Sequence, residues 1–328
     1  MKYIIQILLI GITGGLFSCE SLVTTIPESK LPKGTEKVVL HAYITPQDTA
    51  ILVKLTASSP LLGIHKNNGY GYAIIGNDTV YYTGGVIENA TIILSDSKKQ
   101  SVSIPYIKRE GLYMLDARQF PIVAGETYTI TAETPKGNVE ASCTVPKDIT
   151  PVTAYTIDTL REGGFKTYRI NFDWKDLPSQ TNYYTMKASI NARMLLLPTP
   201  GNQYNIPMER IITYTGYWDE ENRQAQYQTD TNRDGAVFST PTGILQYSNE
   251  VMTNNGDRYK ASVIGKNVNI YLEVLNTDKN YYDYHRAVRI NNRQGGNPFV
   301  EPVPIPTNVR NGLGCFAASN KAIQLIVF

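Results

Sequence analysis

Apolar residues fall on alternate positions in run after run of this 328-residue chain. Tyr168, Ile170, Phe172 and Trp174 do so, then Tyr184, Met186, Ala188 and Ile190, then Val268, Ile270, Leu272 and Val274. A period of two places each set on one side of an extended segment, the pattern of a strand with one buried face. A chain built from such runs must bury its apolar faces sheet against sheet. The first half repeats the pattern at Val39, His41 and Tyr43 and at Ile51, Val53 and Leu55, with Pro46-Gln47-Asp48 as the turn between them. Glu88 to Leu94, Gly111 to Leu115, Thr127 to Ala132 and Asn138 to Val145 read as further short strands. Tyr128, just after Gly125, stands where an immunoglobulin-like sandwich places a corner tyrosine whose hydroxyl caps nearby backbone.

The expected fold is therefore mainly all-β, with two antiparallel β-sandwich domains of immunoglobulin-like or transthyretin-like kind. The first spans 37–147. Pro146 to Pro151 is the hinge, since two prolines there forbid regular pairing. The second spans 152–328 and carries one short helix, capped by Thr277-Asp278 and running through Tyr281, Tyr282, Tyr284, His285 and Val288. Two stretches lack a clear period. Ser58 to Gly85 reads as a long loop with room for one strand, and Pro198 to Gly256 as a long irregular insertion. A last strand is expected in Ala317 to Phe328.

The amino terminus carries an address. Lys2, the short apolar run Ile4 to Ile12 and small residues before Cys19 form a secretory signal over 1–18, too short to span a bilayer. Leu16-Phe17-Ser18-Cys19 looks like a bacterial lipobox, with bulky Phe17 as its one departure. Cys19 is then the lipidated first residue of the mature chain, and 19–36, with Pro27, Pro32 and Gly34, is the tether. Lipid attachment puts the protein at a membrane surface. Which face it occupies stays open, because only Glu20 is acidic directly after the cysteine. A net charge of +2 with scattered Lys and Arg gives no basic stripe, which excludes a nucleic-acid binder. Cys143 and Cys315 lie far apart and read as separate buried thiols rather than a disulfide. The 23 tyrosines suit half-buried sheet positions and also serve as anchors for partners.

Catalytic patterns are sparse. His41, His65 and His285 have no partners at metal-ligand spacing. No Gly-x-Ser-x-Gly elbow and no phosphate-binding loop occurs. Asp219-Glu220-Glu221 offers a glycosidase pair in principle, but three adjacent acids read first as a solvated surface. The sharpest local signal is Asp230-Thr231-Asn232-Arg233-Asp234-Gly235. Asp230, Asn232 and Asp234 bear oxygen at alternate positions closed by Gly235, as in the first half of a calcium loop. Pro241 occupies the place of the bidentate glutamate, so an Asx-type hairpin turn is the competing reading. Pro298, Pro302, Pro304 and Pro306 either present Phe299 to a partner in an extended segment or belong to an ordered crossing loop.

Tyr281-Tyr282-Asp283-Tyr284, Asn297-Pro298-Phe299-Val300-Glu301-Pro302-Val303 and Asn308 to Phe316 resemble one lipoprotein family, that of domain of unknown function 4249 from Bacteroidetes-type bacteria. Val38-Val39, Asn89-Ala90-Thr91, Ala124 to Tyr128 and Thr144-Val145-Pro146 fit it as well, while Cys315 and Ala317 depart from its usual aliphatic residue and glycine. The resemblance implies an outer-membrane lipoprotein accessory to a TonB-dependent receptor or similar envelope complex, with no assigned activity. The expected function is thus non-catalytic binding beside an outer-membrane receptor protein, with calcium at Asp230, Asn232 and Asp234 as the one cofactor to test. A structural or adhesive surface protein is the alternative, and a secreted hydrolase a second.

Overall fold

The computed structural model describes residues 35–59, 71–76, 78–162, 165–202, 206–220, 225–253, 256–265, 268–293, 301 and 303–327. The first half contributes β1 (Val38–Ile44), β2 (Ala50–Ala57), β3 (Gly71–Ile75), β4 (Asp78–Tyr82), β5 (Thr91–Asp96), β6 (Ser101–Ser103), β7 (Tyr106–Ile107), β8 (Leu112–Asp116), β9 (Thr127–Thr134) and β10 (Gly137–Thr144). The second half contributes β11 (Val152–Glu162), β12 (Phe165–Lys175), β13 (Tyr183–Pro198), β14 (Met208–Thr215), β15 (Tyr217–Asp219) and β16 (Tyr227–Thr229). It continues with β17 (Val237–Ser239), β18 (Thr242–Tyr247), β19 (Glu250–Met252), β20 (Arg258–Val263), β21 (Asn269–Thr277), helix α1 (Lys279–Arg293) and β22 (Leu313–Val327). Among the described residues the fold is all-β with one helix, as the two-residue period requires. Among the described residues no helix is long and apolar enough to cross a membrane.

An eleven-stranded sheet runs through both halves in the order β19-β20-β13-β21-β22-β1-β2-β8-β7, with β14 and β16 also paired to β13. Its join is β22, antiparallel to β21 and parallel to β1 from Val39↔Leu313 to Ile44↔Ala318. The segment Asn308 to Gly314 makes that join. Asn308 donates to the Phe316 carbonyl at 2.6 Å and accepts from the Phe316 amide at 3.0 Å, imitating a paired strand residue. Gly314 takes φ 103°, and a Cβ there would lie 2.1 Å from the Leu40 carbonyl oxygen. Only glycine lets β22 lie this close against β1.

Two smaller sheets cover one face of the large one. Residues of β1, β2, β8 and the start of β22 pack against the sheet β10-β9-β5-β6 around Leu40, Leu55, Ile92, Ile130 and Phe316. Residues of β13 and β21 pack against the sheet of β11, β12, β18, β15 and β17 around Trp174, Tyr184, Met186, Phe238 and Leu272. Both interfaces use even-numbered positions of β22, Phe316 and Ala318 in one and Ile326 in the other, so the two sandwich-like layers sit side by side on one face. Tyr128 does the work of a corner tyrosine: its hydroxyl accepts from the Val123 amide at 2.8 Å. Cys143 and Cys315 are separate buried thiols, and burial pushes both well above the usual thiol range.

Within 198–256, read from sequence as irregular, the described residues form six short strands, β14 to β19. Their pairing to β13, β12, β18 and β20 comes from distant partners, while their own sequence separates apolar from polar faces poorly, as with exposed Ile211 in β14.

Candidate functional site

The opposite face of the large sheet is covered by α1 and by the β3–β4 hairpin. Odd-numbered positions of β1 and β22 point this way, which brings Tyr43, Cys315 and Ala317 together with Ile75, Val80 and Tyr281. Asp278 starts the helix, accepting from the Tyr281 amide at 2.8 Å as an N-cap. The helix then presents Tyr281, Tyr284 and His285, spaced three and four apart, to the sheet.

These residues meet partners from the other end of the chain. Tyr281 donates its hydroxyl to both carboxylate oxygens of Asp78 at 2.8 and 3.0 Å. Lys187 of β13 donates to the same carboxylate at 2.9 Å, and both side chains of this ion pair are largely buried. Burial alone would raise the Asp78 pKa, but Lys187, His285 and the Tyr281 hydrogen bond outweigh it and hold the carboxyl below its usual range. Beside it Lys321 pairs with Asp48 at 3.0 Å. The ring of His285 lies 4.2 Å from that of Tyr281 and 4.8 Å from that of Tyr43. His41 Nε2 and the Tyr284 hydroxyl are 2.7 Å apart. Burial depresses both histidines to a pKa of about 4, helped at His41 by His285 and at His285 by Lys187. Both are therefore neutral at pH 7, and among the described residues His41 Nδ1, His285 Nε2 and the Tyr43 hydroxyl have no hydrogen-bond partner.

This network holds the hairpin down by its inner face. The outer face is a different surface. Tyr72 and Tyr81 are directly opposed across the hairpin, and they are 62% and 76% exposed, with Ile74 beside them at 55%. A cavity of about 510 Å³ opens at the side of the hairpin, between Tyr81, Tyr82, His41, Tyr284, Pro306 and Leu313.

The residues singled out in sequence fall into three groups. Asp230 and Asp234 do come together, and they are joined by Asp176, so that one carboxylate oxygen of each lies within 4.8 Å of the others. Asn232 is not in this group; it takes φ 64° with its side chain exposed. Asp176 accepts from the Gly235 amide at 2.7 Å and the Tyr184 hydroxyl at 2.7 Å, Asp230 from the Asn182 amide at 2.9 Å, and Asp234 from the Ser179 amide at 2.8 Å. The carboxylates thus lace the loop after β12 to the loop after β16. Three such oxygens also suit a hard cation. Asp176 lies in another loop from the Asp230 motif, so no local spacing announces it.

Of the acidic triplet, Glu220 is buried and accepts from Arg289 at 3.0 Å while pairing with Arg293, which pins it to α1. Glu221 and His65 lie outside the described residues, as do Cys19, the signal 1–18, most of the tether 19–36, and Pro298, Phe299 and Pro302. At the edge of that proline segment, Asn291 exchanges two hydrogen bonds of 2.8 Å with the Val303 backbone.

The domain of unknown function 4249 family matches residues 20–324. No curated protein matches the chain.

Proposed function

The chain belongs to the domain of unknown function 4249 family, and on that premise we propose that it is a lipid-anchored outer-membrane protein that acts by binding. Its partner in this reading is an outer-membrane receptor protein of the TonB-dependent kind, and its role is accessory and non-catalytic. The observation that carries the reading is the outer face of the β3–β4 hairpin. Tyr72, Ile74 and Tyr81 are exposed together, and the strands behind them are fixed by Asp78, Lys187 and Tyr281. Rigid, exposed aromatics cost little ordering on binding and are frequent anchors of interfaces. Lipid at Cys19 would hold this face near its partner and raise its effective concentration. Two or three acyl chains are needed for stable attachment, since one binds only marginally.

Isolation of the tagged full chain from detergent-solubilised membranes tests this. A stoichiometric receptor should be recovered with the native chain and lost with Tyr72→Ala/Tyr81→Ala, which leaves the inner face of the hairpin untouched. Equal recovery with both chains would remove the hairpin from the interface, and no receptor with either would end the accessory reading.

A structural or adhesive role is favoured by one other surface. Ile323, Leu325 and Val327 are exposed on the part of β22 that pairs with β21 alone, and an apolar edge of this kind invites pairing with a second copy. Homopolymers that vanish with Leu325→Lys would favour it.

A further inference from the structure

The cavity beside the hairpin raises a separate question, since of the exposed outer-face residues Tyr72, Ile74 and Tyr81 only Tyr81 lines it. Its volume of about 510 Å³ is in the range of small-molecule sites. Part of its wall is backbone, at Gly84 and Gly314. A Cβ on Gly84 would lie 1.4 Å from the Ala57 carbonyl oxygen, and one on Gly314 would lie 2.1 Å from that of Leu40. Walls packed this closely do not relax inward, so the space is preformed.

Among the described residues the lining has no Asp, Glu, Lys or Arg. Buried Lys54 stands 4.4 Å from the centre of the Tyr82 ring and donates to the Gly111 carbonyl at 2.6 Å. A charged ligand would lose its hydration here without gaining a counter-charge. Several hydroxyl groups of the lining are already engaged within the protein. Ser58 accepts from the Lys37 amide at 2.9 Å, Ser59 donates to the Thr83 carbonyl at 3.2 Å, and Tyr284 is paired with His41. Beside the hydroxyls of Thr56, Thr83 and Thr307, the lining presents mainly aromatic faces and aliphatic groups, with Tyr81, Tyr82, Ile305 and Leu313 as the surfaces on offer. A sugar, which needs many free donors and acceptors, fits such a lining poorly, and water is weakly held in it.

We propose that this cavity is a binding site for an uncharged, mainly apolar small molecule carrying an aromatic ring or a short acyl chain. It lies between β4, the first residues of β1 and β22, and the segment 305–307. The ligand enters beside Tyr81, the one outer-face residue that also lines the cavity, and packs against the Tyr82 and Tyr284 rings.

Photolabelling of the full chain in membrane vesicles tests this with benzophenone as the neutral probe and 4-benzoylbenzoate as its anionic counterpart. Benzophenone should give saturable adducts on the peptides containing Tyr81 and Leu313, and the anion should label them roughly tenfold less. Ser58→Trp and Leu313→Trp, which fill the cavity from two sides, should each reduce the adduct roughly tenfold while thermal unfolding confirms that the chain is folded. Leu313 is already partly exposed, so its replacement serves if Ser58→Trp does not fold. Tyr72→Ala should leave labelling unchanged even where it abolishes receptor recovery. Unsaturable labelling, equal labelling by the anion, or adducts that persist in a folded Trp variant would overturn the assignment.

Discussion

Replacing Asp78 by Ala should release the hairpin and destabilise the protein by about 3 kcal/mol. The figure follows from what the carboxylate serves. Its side chain and that of Lys187 are 14% and 13% exposed, so removing one member strands a nearly buried charge. Breaking such a pair costs about 3–5 kcal/mol when burial is complete, and the residual water access places this pair at the lower end. Tyr281 loses its Asp78 acceptor in the same step, but that loss overlaps with the first and is not simply added. Asp78→Asn strands the Lys187 charge as well but keeps an acceptor for Tyr281, so it should cost somewhat less, about 2–3 kcal/mol. Adding Lys187→Met to Asp78→Asn removes the stranded charge, so the double variant should regain stability relative to Asp78→Asn alone. Urea unfolding measures all three, and hydrogen exchange at β3 and β4 shows whether the hairpin opens before the rest. The folded pKa of Asp78 lies below its ordinary value, so its contribution is present above that value and is lost as pH falls through the folded one. The difference between native and Asp78→Asn chains should therefore shrink in acid below about pH 4. A cost under about 1 kcal/mol for Asp78→Ala, or strict additivity with Lys187→Met, would refute the view that this pair anchors the hairpin.

Other consequences are open to the same methods. His41 and His285 have folded pKa values of about 4, below the unfolded value, so the unfolded state binds more protons and stability should fall as pH drops from about 6.5 to 4; His285→Phe should flatten that slope in unfolding curves taken across the window. Gly314→Ala should cost about 2–4 kcal/mol by combining a left-handed φ with a clash against Leu40, whereas Gly137→Ala, with φ 119° and nothing within 4 Å of its Cβ, should cost about 1–2 kcal/mol. Asp176→Asn should lower the unfolding temperature in chelator, because buried acceptors lace the two loops; a rise with millimolar calcium that Asp234→Asn abolishes would instead assign the three carboxylates to a cation.

Alternation made β12, β13 and β21 legible because each has one face against a core, and Trp174, Tyr184 and Leu272 carry that face in the structure. The hairpin was hidden by its own side-chain pattern. In β3, Ala73 and Ile75 are buried while Tyr72 and Ile74 face outward, so both sides are apolar and the period disappears. The parallel pairing of β22 with β1 left no local mark, since its requirement is a close backbone approach that Gly314 permits but does not announce. Much of the candidate site shows the same division. Tyr281, Tyr284 and His285 were readable as one face of a capped helix, yet Asp78 lies 203 residues from Tyr281 and His41 lies 243 from Tyr284. Chain topology brings them together. The resemblance to the family rested on that same Tyr281 to Tyr284 motif and on Asn308 to Phe316, and the structure gives both a physical role: one clamps the hairpin, the other seats the last strand.

The central claim is that the outer face of the hairpin is where the protein meets its partner. Incorporating p-benzoylphenylalanine at position 81 in living cells and irradiating them tests it most directly. The account predicts one dominant adduct with an outer-membrane receptor protein, absent when the probe is placed at the exposed position 211 instead. An adduct pattern that is the same from both positions, or that contains only a second copy of this chain, would contradict it.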